Sequence, residues 1–258
     1  MVTSQVLCTL SGFPLRLDRS VASGGWGDGP SAPAPVEVRV DATGDIWVTN
    51  GYQRIVHCGG SGGIDLPADG GPLRDFAVGS GYGLLFADGL RWSSGWQRDG
   101  DFGKILTAGA CLYVSERHGP ALFELDITTG DLRRTLLRSH DAGRPFLADG
   151  WICSVFTDVD AGQRGIEIMS PTGAVDRIAM PGPKHYAALV HTIGFDKDIR
   201  GYAMSDGTIT RFSRRGELER WASVPADIPP ASFHVDAGGR VLYATAATDT
   251  VTVFCVTA

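Results

Sequence analysis

Short runs of alternating apolar and polar residues recur along the chain and are separated by turns that contain glycine. Residues 36–41 (VEVRVD) alternate in this way, a turn follows at 42–44, and residues 45–50 (DIWVTN) begin a second run. The same plan returns near the C-terminus at residues 233–244. A period of two predicts β-strands, and the short turns predict antiparallel pairing. Both ends of the chain therefore predict the same antiparallel unit.

This unit repeats six times if the large residue in the middle of each second strand is taken as a marker. The intervals between successive markers run from 27 to 50 residues with a mean near 40, which is the length of a propeller blade. The shortest interval predicts an abbreviated second blade, and the longest predicts an insertion before the second strand of the fifth. The markers are Trp47, Leu85, Leu112, Ile152, Tyr202 and Leu242.

We therefore predict an all-β fold, a six-bladed β-propeller of four-stranded antiparallel blades, with residues 1–258 as a single domain. The sixth unit ends after its third strand, which would leave a strand edge unpaired and prone to aggregation. An N-terminal strand at residues 5–10 or 14–17 is expected to complete the C-terminal blade, with residues 20–35, rich in Gly, Ser, Ala and Pro, as the link to the first blade. Seven blades are the alternative if residues 1–35 contain half a blade.

The strings at residues 41–50 (DATGDIWVTN) and 236–243 (DAGGRVLY) resemble the D-x-x-G-x-[IVL]-[WLY] blade signature of a propeller superfamily. This superfamily includes NHL repeats, streptogramin B lyases and gluconolactonase-like lactonases, and the resemblance implies the fold more than an activity. Such lactonases hold a divalent cation with one Glu, two Asn and one Asp, whereas Asn50 is the single asparagine here. Streptogramin lyases use a late histidine near acidic metal-site residues. His234 is late, but no glutamate follows Glu219.

Composition and charge limit the partners. The chain has 35 Gly and 14 Pro, 43% apolar and 20% charged residues, a net charge of −6 and a pI near 5.5. Such a composition is typical of a globular chain with many turns, and the acidic balance argues against nucleic-acid binding. No apolar run approaches the ~20 residues that span a bilayer, and the N-terminus lacks a signal-peptide pattern. We expect a cytoplasmic monomer from a bacterium, with no membrane partner.

The five cysteines are odd in number, widely spaced and free of any C-x-x-C pattern. This spacing predicts neither a disulfide framework nor a thiolate zinc site. We expect them to be small buried apolar residues. They are Cys8, Cys58, Cys111, Cys153 and Cys255.

Basic residues precede the markers at regular offsets on the expected innermost strands. If they face the axis, the channel of this acidic protein is lined with bases, which would suit an anionic small molecule. The alternative is that several form ordinary ion pairs between blades, since Asp41, Asp75 and Asp236 lie nearby. Eight positions before the marker lie Arg39, Lys104, Arg144 and His234, and eleven before it lie Arg74 and His191.

Imidazoles titrate near neutrality, so His191 and His234, on adjacent blades, are the catalytic acid–base candidates. We expect no cofactor, because no H-x-E or H-E-x-x-H pattern is present. A divalent metal held by channel histidines is one alternative, and solvated loop histidines are another. His118 is expected in a loop at the mouth of the channel, and His57 at the periphery. The substrate-binding candidates are Arg39, Arg74, Lys104, Arg144, His140, His185, Tyr52 and Tyr186.

These candidates favour a small-molecule enzyme that acts on an anionic or polar metabolite in the propeller channel. A lyase, a cyclase or a hydrolase of a biosynthetic or catabolic pathway would use such histidines for proton transfer and such arginines to hold the substrate. The alternative is a non-catalytic propeller that binds a ligand or a protein.

Overall fold

The first five blades are meanders of four antiparallel strands, and the sixth has three consecutive ones, because each alternating run is followed by a turn and then by another run that pairs with it. The described strands form six four-stranded sheets. Among the described residues, no helix is long and apolar enough to cross a membrane. The prediction of a six-bladed, all-β propeller is confirmed. The computed structural model describes residues 3–11, 36–49, 54–60, 62–67, 73–139, 142–148, 150–158, 160–179, 193–205, 207–213, 215, 217–224, 232–247 and 250–257.

In the first three blades the strand order in each sheet follows the chain. The second blade occupies only residues 75–99, as the short marker interval predicts. The strands are β2 (Glu37–Val40), β3 (Ile46–Thr49), β4 (Arg54–His57) and β5 (Gly63–Asp65); β6 (Asp75–Val78), β7 (Tyr82–Leu85), β8 (Gly89–Trp92) and β9 (Gln97–Asp99); and β10 (Phe102–Ala108), β11 (Cys111–Glu116), β12 (Ala121–Asp126) and β13 (Leu132–Leu137).

The fourth and fifth blades repeat this order. The residues between β17 and β18, where an insertion in the fifth unit is predicted, lie outside the described residues. The strands are β14 (Ala142–Ala148), β15 (Trp151–Asp158), β16 (Gln163–Met169) and β17 (Val175–Ala179), then β18 (Ile193–Phe195), β19 (Gly201–Ser205), β20 (Thr208–Phe212) and β21 (Leu218–Ser223).

The sixth blade closes the ring with both ends of the chain. Its strands are β22 (Ser232–Val235), β23 (Val241–Ala247) and β24 (Thr250–Thr257), and its outermost strand is β1 (Thr3–Ser11), which pairs antiparallel with β24. The predicted completion of the C-terminal blade by the N-terminus is therefore confirmed, with residues 5–10 inside β1. The other candidate, residues 14–17, lies outside the described residues.

The residues of the blade signature form and stabilise the turn between the first two strands of the first blade. Asp41 Oδ1 accepts hydrogen bonds from the backbone N–H of Thr43 at 2.9 Å and of Asp45 at 3.0 Å. Gly44 has φ 90°, a left-handed conformation that glycine adopts without steric cost. Asp236 repeats this capping in the sixth blade, where its Oδ1 accepts from Arg240 N–H at 2.9 Å. The aspartates of the signature therefore stabilise turns.

The fifth blade contains the same turn without its glycine. Asp196 Oδ1 accepts from the backbone N–H of Asp198 and Arg200, each at 2.9 Å. The position before Arg200 is Ile199, which has φ 58° and is 6% exposed. A β-branched residue rarely adopts this conformation, so the glycine pattern does not find this copy.

Six apolar clusters fill the six interfaces between neighbouring blades, as the separate clusters of buried residues around the ring demonstrate. The cluster between the sixth and first blades, here called the closure seam, contains Val38 and Val48 of the first blade and Leu242 and Val253 of the sixth. Among the described residues, the closure seam is the one cluster without an aromatic ring, whereas the other five each contain at least one. Small aliphatic side chains thus close the ring.

The prediction that the cysteines form no disulfide is wrong for two of them. Cys8 of β1 is bonded to Cys58, which follows β4, with 6.0 Å between their Cα atoms. The two residues are 50 positions apart, and they meet because β1 returns to the ring beside the first blade. Spacing within the sequence cannot reveal such a pairing. Cys153 and Cys255 are buried as expected, and Cys111 is half-buried.

Candidate functional site

The structure describes some of the predicted site residues. Arg39 lies on β2, Lys104 on β10 and His234 on β22, which are the innermost strands of their blades, and the backbone of Arg144 lies in β14. Arg74 directly precedes β6, and its N–H donates to Leu85 O at 2.7 Å. The remaining candidates lie outside the described residues: Tyr52, His140, His185, Tyr186 and His191.

Two of the predicted channel cations belong to one buried group, here called the bore network, made of Glu37, Arg39, Asp75 and Lys104. Arg39 Nη2 donates to Asp75 Oδ1 at 2.6 Å, and Lys104 Nζ donates to the same oxygen at 2.9 Å. Arg39 Nη1 lies 2.7 Å from Glu37 Oε2. The side chains of Asp75 and Lys104 are 0% and 6% exposed. One carboxylate therefore joins the innermost strands of three consecutive blades.

The charges of the bore network balance, because two cations face two carboxylates. Burial alone would lower the pKa of Arg39, but the carboxylates of Glu37 and Asp75 outweigh it and raise that pKa. Arg39 and Lys104 therefore form ion pairs with carboxylates, in agreement with the alternative interpretation of these two residues. A substrate-binding role for them stays a prediction.

Hydrogen bonds from backbone N–H groups to side chains also join the innermost strands of neighbouring blades. Asp75 Oδ2 accepts from the backbone N–H of Ile105 on β10 at 2.9 Å. In the same way Ser232 Oγ on β22 accepts from Val38 N–H on β2 at 3.0 Å. A buried strand edge needs such partners, because an unpaired buried N–H is costly. These bonds hold neighbouring blades together near the axis.

His234 is half-buried on β22 and lies opposite Leu242 of β23. Arg39 lies opposite Trp47 in the first blade, so the two residues occupy equivalent positions of the repeat. Alternation along a strand places His234 on the same face as Ser232, whose hydroxyl meets the first blade. His234 therefore lies on the innermost strand of the sixth blade, on the face that meets the first blade, and its catalytic role stays a prediction.

A second charged group lies at the end of the propeller where the links between blades meet the loops between second and third strands, here called the mouth face. This mouth cluster consists of Arg74, Asp101, Arg117 and His118. Asp101 is in the short link between β9 and β10, and Arg117 and His118 are in the loop between β11 and β12. Arg74 Nη1 donates to Asp101 Oδ1 at 2.6 Å, and Arg117 Nη1 lies 3.7 Å from that oxygen. His118 Nε2 lies 4.0 Å from Asp101 Oδ2.

Electrostatics at the mouth face favour an ionised carboxylate. The hydrogen bond from Arg74 is the main cause that lowers the pKa of Asp101; Arg117 and His118 act in the same direction, and burial opposes them. The side chains of Asp101 and His118 are 53% and 67% exposed, so both are accessible to a ligand. Two guanidinium groups and an imidazole thus surround one carboxylate, and Arg98, Asp99 and Glu116 lie beside this group.

An open pocket of about 300 Å³ adjoins the mouth cluster. Asp101 forms part of its wall, together with Arg98, Glu116 and the rings of Phe102 and Phe123. The two rings meet edge to face at 6.0 Å between centroids. A volume of this size is at the lower end for small-molecule sites. Asp101 is the member of the mouth cluster that lines this pocket, beside polar side chains and the two rings.

Another histidine–aspartate pair lies at the opposite end of the propeller. His57 Nε2 is 3.5 Å from Asp45 Oδ1, and the edge of its ring packs against Trp47 at 5.2 Å between centroids. Asp45 and His57 flank hairpin turns of the first blade, and among the described residues no arginine or lysine forms an ion pair with either of them. Within the described part of the chain, no three metal-ligating side chains lie close enough together to hold an ion.

Periodicity in the sequence did not find Asp101 or Arg117. Asp101 is in a link of two residues, and its partner Arg74 is 27 positions away, so only the ring geometry brings them together. The useful signal was topological: loops between second and third strands share one end of a propeller with the links between blades. That rule placed His118 at the mouth correctly.

Solved structures resemble this one in fold. Virginiamycin B lyase from Staphylococcus aureus has a TM-score of 0.60 with 11% identity and covers 99% of each chain. A catalytically inactive histidine-to-alanine variant of the same enzyme with quinupristin has a TM-score of 0.56 with 16% identity, over 88% of this chain and 82% of that chain.

The WD40 domain of Neurospora crassa Pan2 has a TM-score of 0.56 with 10% identity, over 98% of this chain and 95% of that chain. In sequence, no protein-family profile and no curated protein matches the chain. The structural similarity therefore extends to an enzyme and to a WD40 domain alike.

Proposed function

We propose that the protein is an enzyme that acts on a small polar or anionic molecule at the mouth face and channel, by histidine acid–base chemistry of the lyase type. The observation that carries this proposal is the mouth cluster, where the imidazole of His118 lies beside a carboxylate held by Arg74. An accessible imidazole with a fixed carboxylate partner is suited to proton transfer. The exposed guanidinium groups are suited to an anionic substrate.

In a lyase reaction the neutral imidazole of His118 would take a proton from a carbon atom of the substrate. The electron pair of that C–H bond forms a double bond, and the leaving group departs with the electrons of its own bond. Asp101 would stabilise the imidazolium that results, and Arg74 and Arg117 would hold the negative charge of the substrate. In a hydrolase or a cyclase the same base would instead take the proton of a water molecule or of a substrate nucleophile.

The sequence candidates complete this proposal on the channel side. His234, on the innermost strand of the sixth blade, and His191 are proposed as further acid–base groups. Their role would be to donate a proton to the leaving group. Arg144 is a proposed substrate contact in the channel, and Tyr52, His140, His185 and Tyr186 are proposed contacts at the mouth. Arg39 and Lys104, which the sequence also offers as substrate contacts, have carboxylate partners in the bore network and are not assigned to the substrate in this proposal. The similarity in fold to virginiamycin B lyase supports the lyase class over the other two.

Quinupristin, which is bound in one of the similar structures, is the first compound with which to test this proposal. Purified protein is incubated with quinupristin and the mixture is followed by chromatography and mass spectrometry. Elimination within a ring leaves the mass unchanged but alters retention, whereas hydrolysis adds one water. We expect an elimination product with the wild-type protein, and unconverted quinupristin would contradict the lyase assignment for this class of compound.

Variants of two histidines assign the site. His118→Ala should slow conversion by about 10²–10⁴-fold, the usual contribution of a positioned acid–base group. His57→Ala is the matched control, because it removes the other histidine that pairs with an aspartate, at the opposite end of the propeller. Equal rates in the two variants would contradict a catalytic role for His118.

The second candidate function is a non-catalytic module that binds a ligand or a protein. The balanced charges of the bore network favour it, because Arg39 and Lys104 already have carboxylate partners. The similarity in fold to a WD40 domain agrees with this alternative. A binding module predicts that association with its ligand survives His118→Ala, whereas an enzyme predicts that turnover is lost.

A further inference from the structure

The closure seam carries a covalent bond that crosses between blades. Cys8 belongs to β1, the outermost strand of the sixth blade, and Cys58 follows β4, the third strand of the first. Along the chain, β1 ends at Ser11 and β2 begins at Glu37. The disulfide ties the closing strand β1 directly to the first blade.

The apolar packing at the closure seam differs from that at the other interfaces. Elsewhere, rings such as Trp92, Phe195 and Tyr202 contribute to the packing. At the closure seam the described residues are aliphatic side chains and cysteines. Aromatic side chains bury more area than aliphatic ones, so this interface has less apolar area per residue to stabilise it.

Both bonded cysteines lie at the edge of the closure seam, where the chain approaches the surface. Cys8 and Cys58 are half-buried, and their neighbours Leu7 and Gly59 are exposed. A small thiol can therefore reach the bond. The free cysteines Cys153 and Cys255, in contrast, are buried.

We propose that Cys8 and Cys58 form a thiol–disulfide exchange site that controls closure of the propeller ring. With the bond formed, β1 stays against the first blade and presents its edge to β24. With the bond reduced, hydrogen bonds to β24, the contact between Ser4 Oγ and the Tyr243 hydroxyl, and the aliphatic packing hold β1 in place without a covalent bond, so the closing strand opens more often. In the cytoplasmic location that the sequence leads us to expect, the thiol pool would reverse this bond, since cytosolic disulfides are mostly redox-sensing.

The exchange is balanced with a low-molecular-weight disulfide as oxidant. The thiolate of one cysteine attacks a sulfur of the reagent disulfide, and one reagent thiolate leaves. The thiolate of the second cysteine then attacks the mixed disulfide, the Cys8–Cys58 bond forms, and the second reagent thiolate leaves. Two protein thiols are oxidised and one reagent disulfide is reduced to two thiols. Reduction by a small thiol follows the same steps in reverse.

The test uses the full chain in oxidised and reduced glutathione. We expect reduction to lower the thermal midpoint by roughly 10 °C, because the bond closes a loop of about 50 residues in the unfolded chain. Backbone amides of β1 and β24 should show a larger acceleration of hydrogen exchange after reduction than those of β10–β13. Oxidised glutathione should restore both properties.

Three variants separate this site from other cysteines. Cys8→Ser and Cys58→Ser should behave as the reduced protein and lose their response to glutathione. Cys111→Ser should keep the full response. Free thiols at both Cys8 and Cys58 after incubation with oxidised glutathione, found by peptide mass spectrometry, would overturn the proposal. Unchanged midpoint and hydrogen exchange on reduction would overturn it as well.

Discussion

The bore network and the mouth cluster are built from the same residue types but differ in burial. In each, one aspartate accepts hydrogen bonds or ion pairs from basic residues of neighbouring blades, Asp75 inside the ring and Asp101 at its end. The side chain of Asp75 is 0% exposed, whereas that of Asp101 is 53% exposed. A buried charge that loses its partner lowers the free energy of unfolding, whereas a charge at the surface remains hydrated and loses little.

This difference assigns the two groups different roles. The bore network holds consecutive blades together, because its charges are satisfied by each other. The mouth cluster keeps an accessible imidazole and two guanidinium groups, which a ligand can reach. Similar residues thus serve stability in one place and chemistry in the other, according to our proposal.

The largest expected effect is that of Asp75→Asn. The substitution leaves Lys104 without its carboxylate partner and Arg39 with Glu37 alone, inside the ring. Breaking a buried ion pair in this way costs about 3–5 kcal/mol. Urea unfolding at neutral pH measures the loss, and a change below about 1 kcal/mol would show that the network does not stabilise the ring.

A smaller effect is expected for Lys104→Met, which removes one donor to Asp75 but keeps much of the side-chain volume. Asp75 retains Arg39 and the backbone N–H of Ile105, so we expect a loss of about 2 kcal/mol, typical of a hydrogen bond to a charged group. The same unfolding experiment measures it. A loss as large as that of Asp75→Asn would mean that Lys104 is the main partner of the carboxylate.

At the mouth face, Asp101→Asn should lower the free energy of unfolding by less than about 1 kcal/mol, because exposed ion pairs contribute little. It preserves the size of the side chain and removes only its charge. A loss comparable to that of Asp75→Asn would contradict the contrast between the two groups.

The pH dependence gives the smallest effect. The pKa of Asp101 lies below its ordinary value of 3.8, chiefly through the hydrogen bond from Arg74. A carboxyl with a lowered pKa in the folded state contributes stability above its unfolded pKa and loses it as the pH falls through the folded pKa. The difference in unfolding free energy between wild type and Asp101→Asn should therefore diminish as the pH falls below about pH 4. A difference that stays the same or grows over this acidic range would contradict the ion pair.

Sequence patterns predicted the fold well because the blade repeat is local. Alternation and turn residues such as Asp41 and Gly44 specify each hairpin, and the missing strand of the sixth blade pointed to the N-terminus. Ile199 hid one copy of the turn, because a β-branched residue occupies the left-handed position there. The clusters depend instead on contacts between blades: Asp75 joins residues of three blades, and Cys8 meets Cys58 only when the ring closes. No local pattern encodes such contacts.

The most direct test of the contrast is the turnover of quinupristin per folded molecule in the two aspartate variants, measured at a temperature where both remain folded. We predict that Asp101→Asn slows turnover about 10-fold or more, since the base loses the group that stabilises its charged form, while its stability stays near that of wild type. Asp75→Asn should turn over at the wild-type rate despite its lower stability. Full activity in Asp101→Asn together with loss of activity in Asp75→Asn would contradict the account.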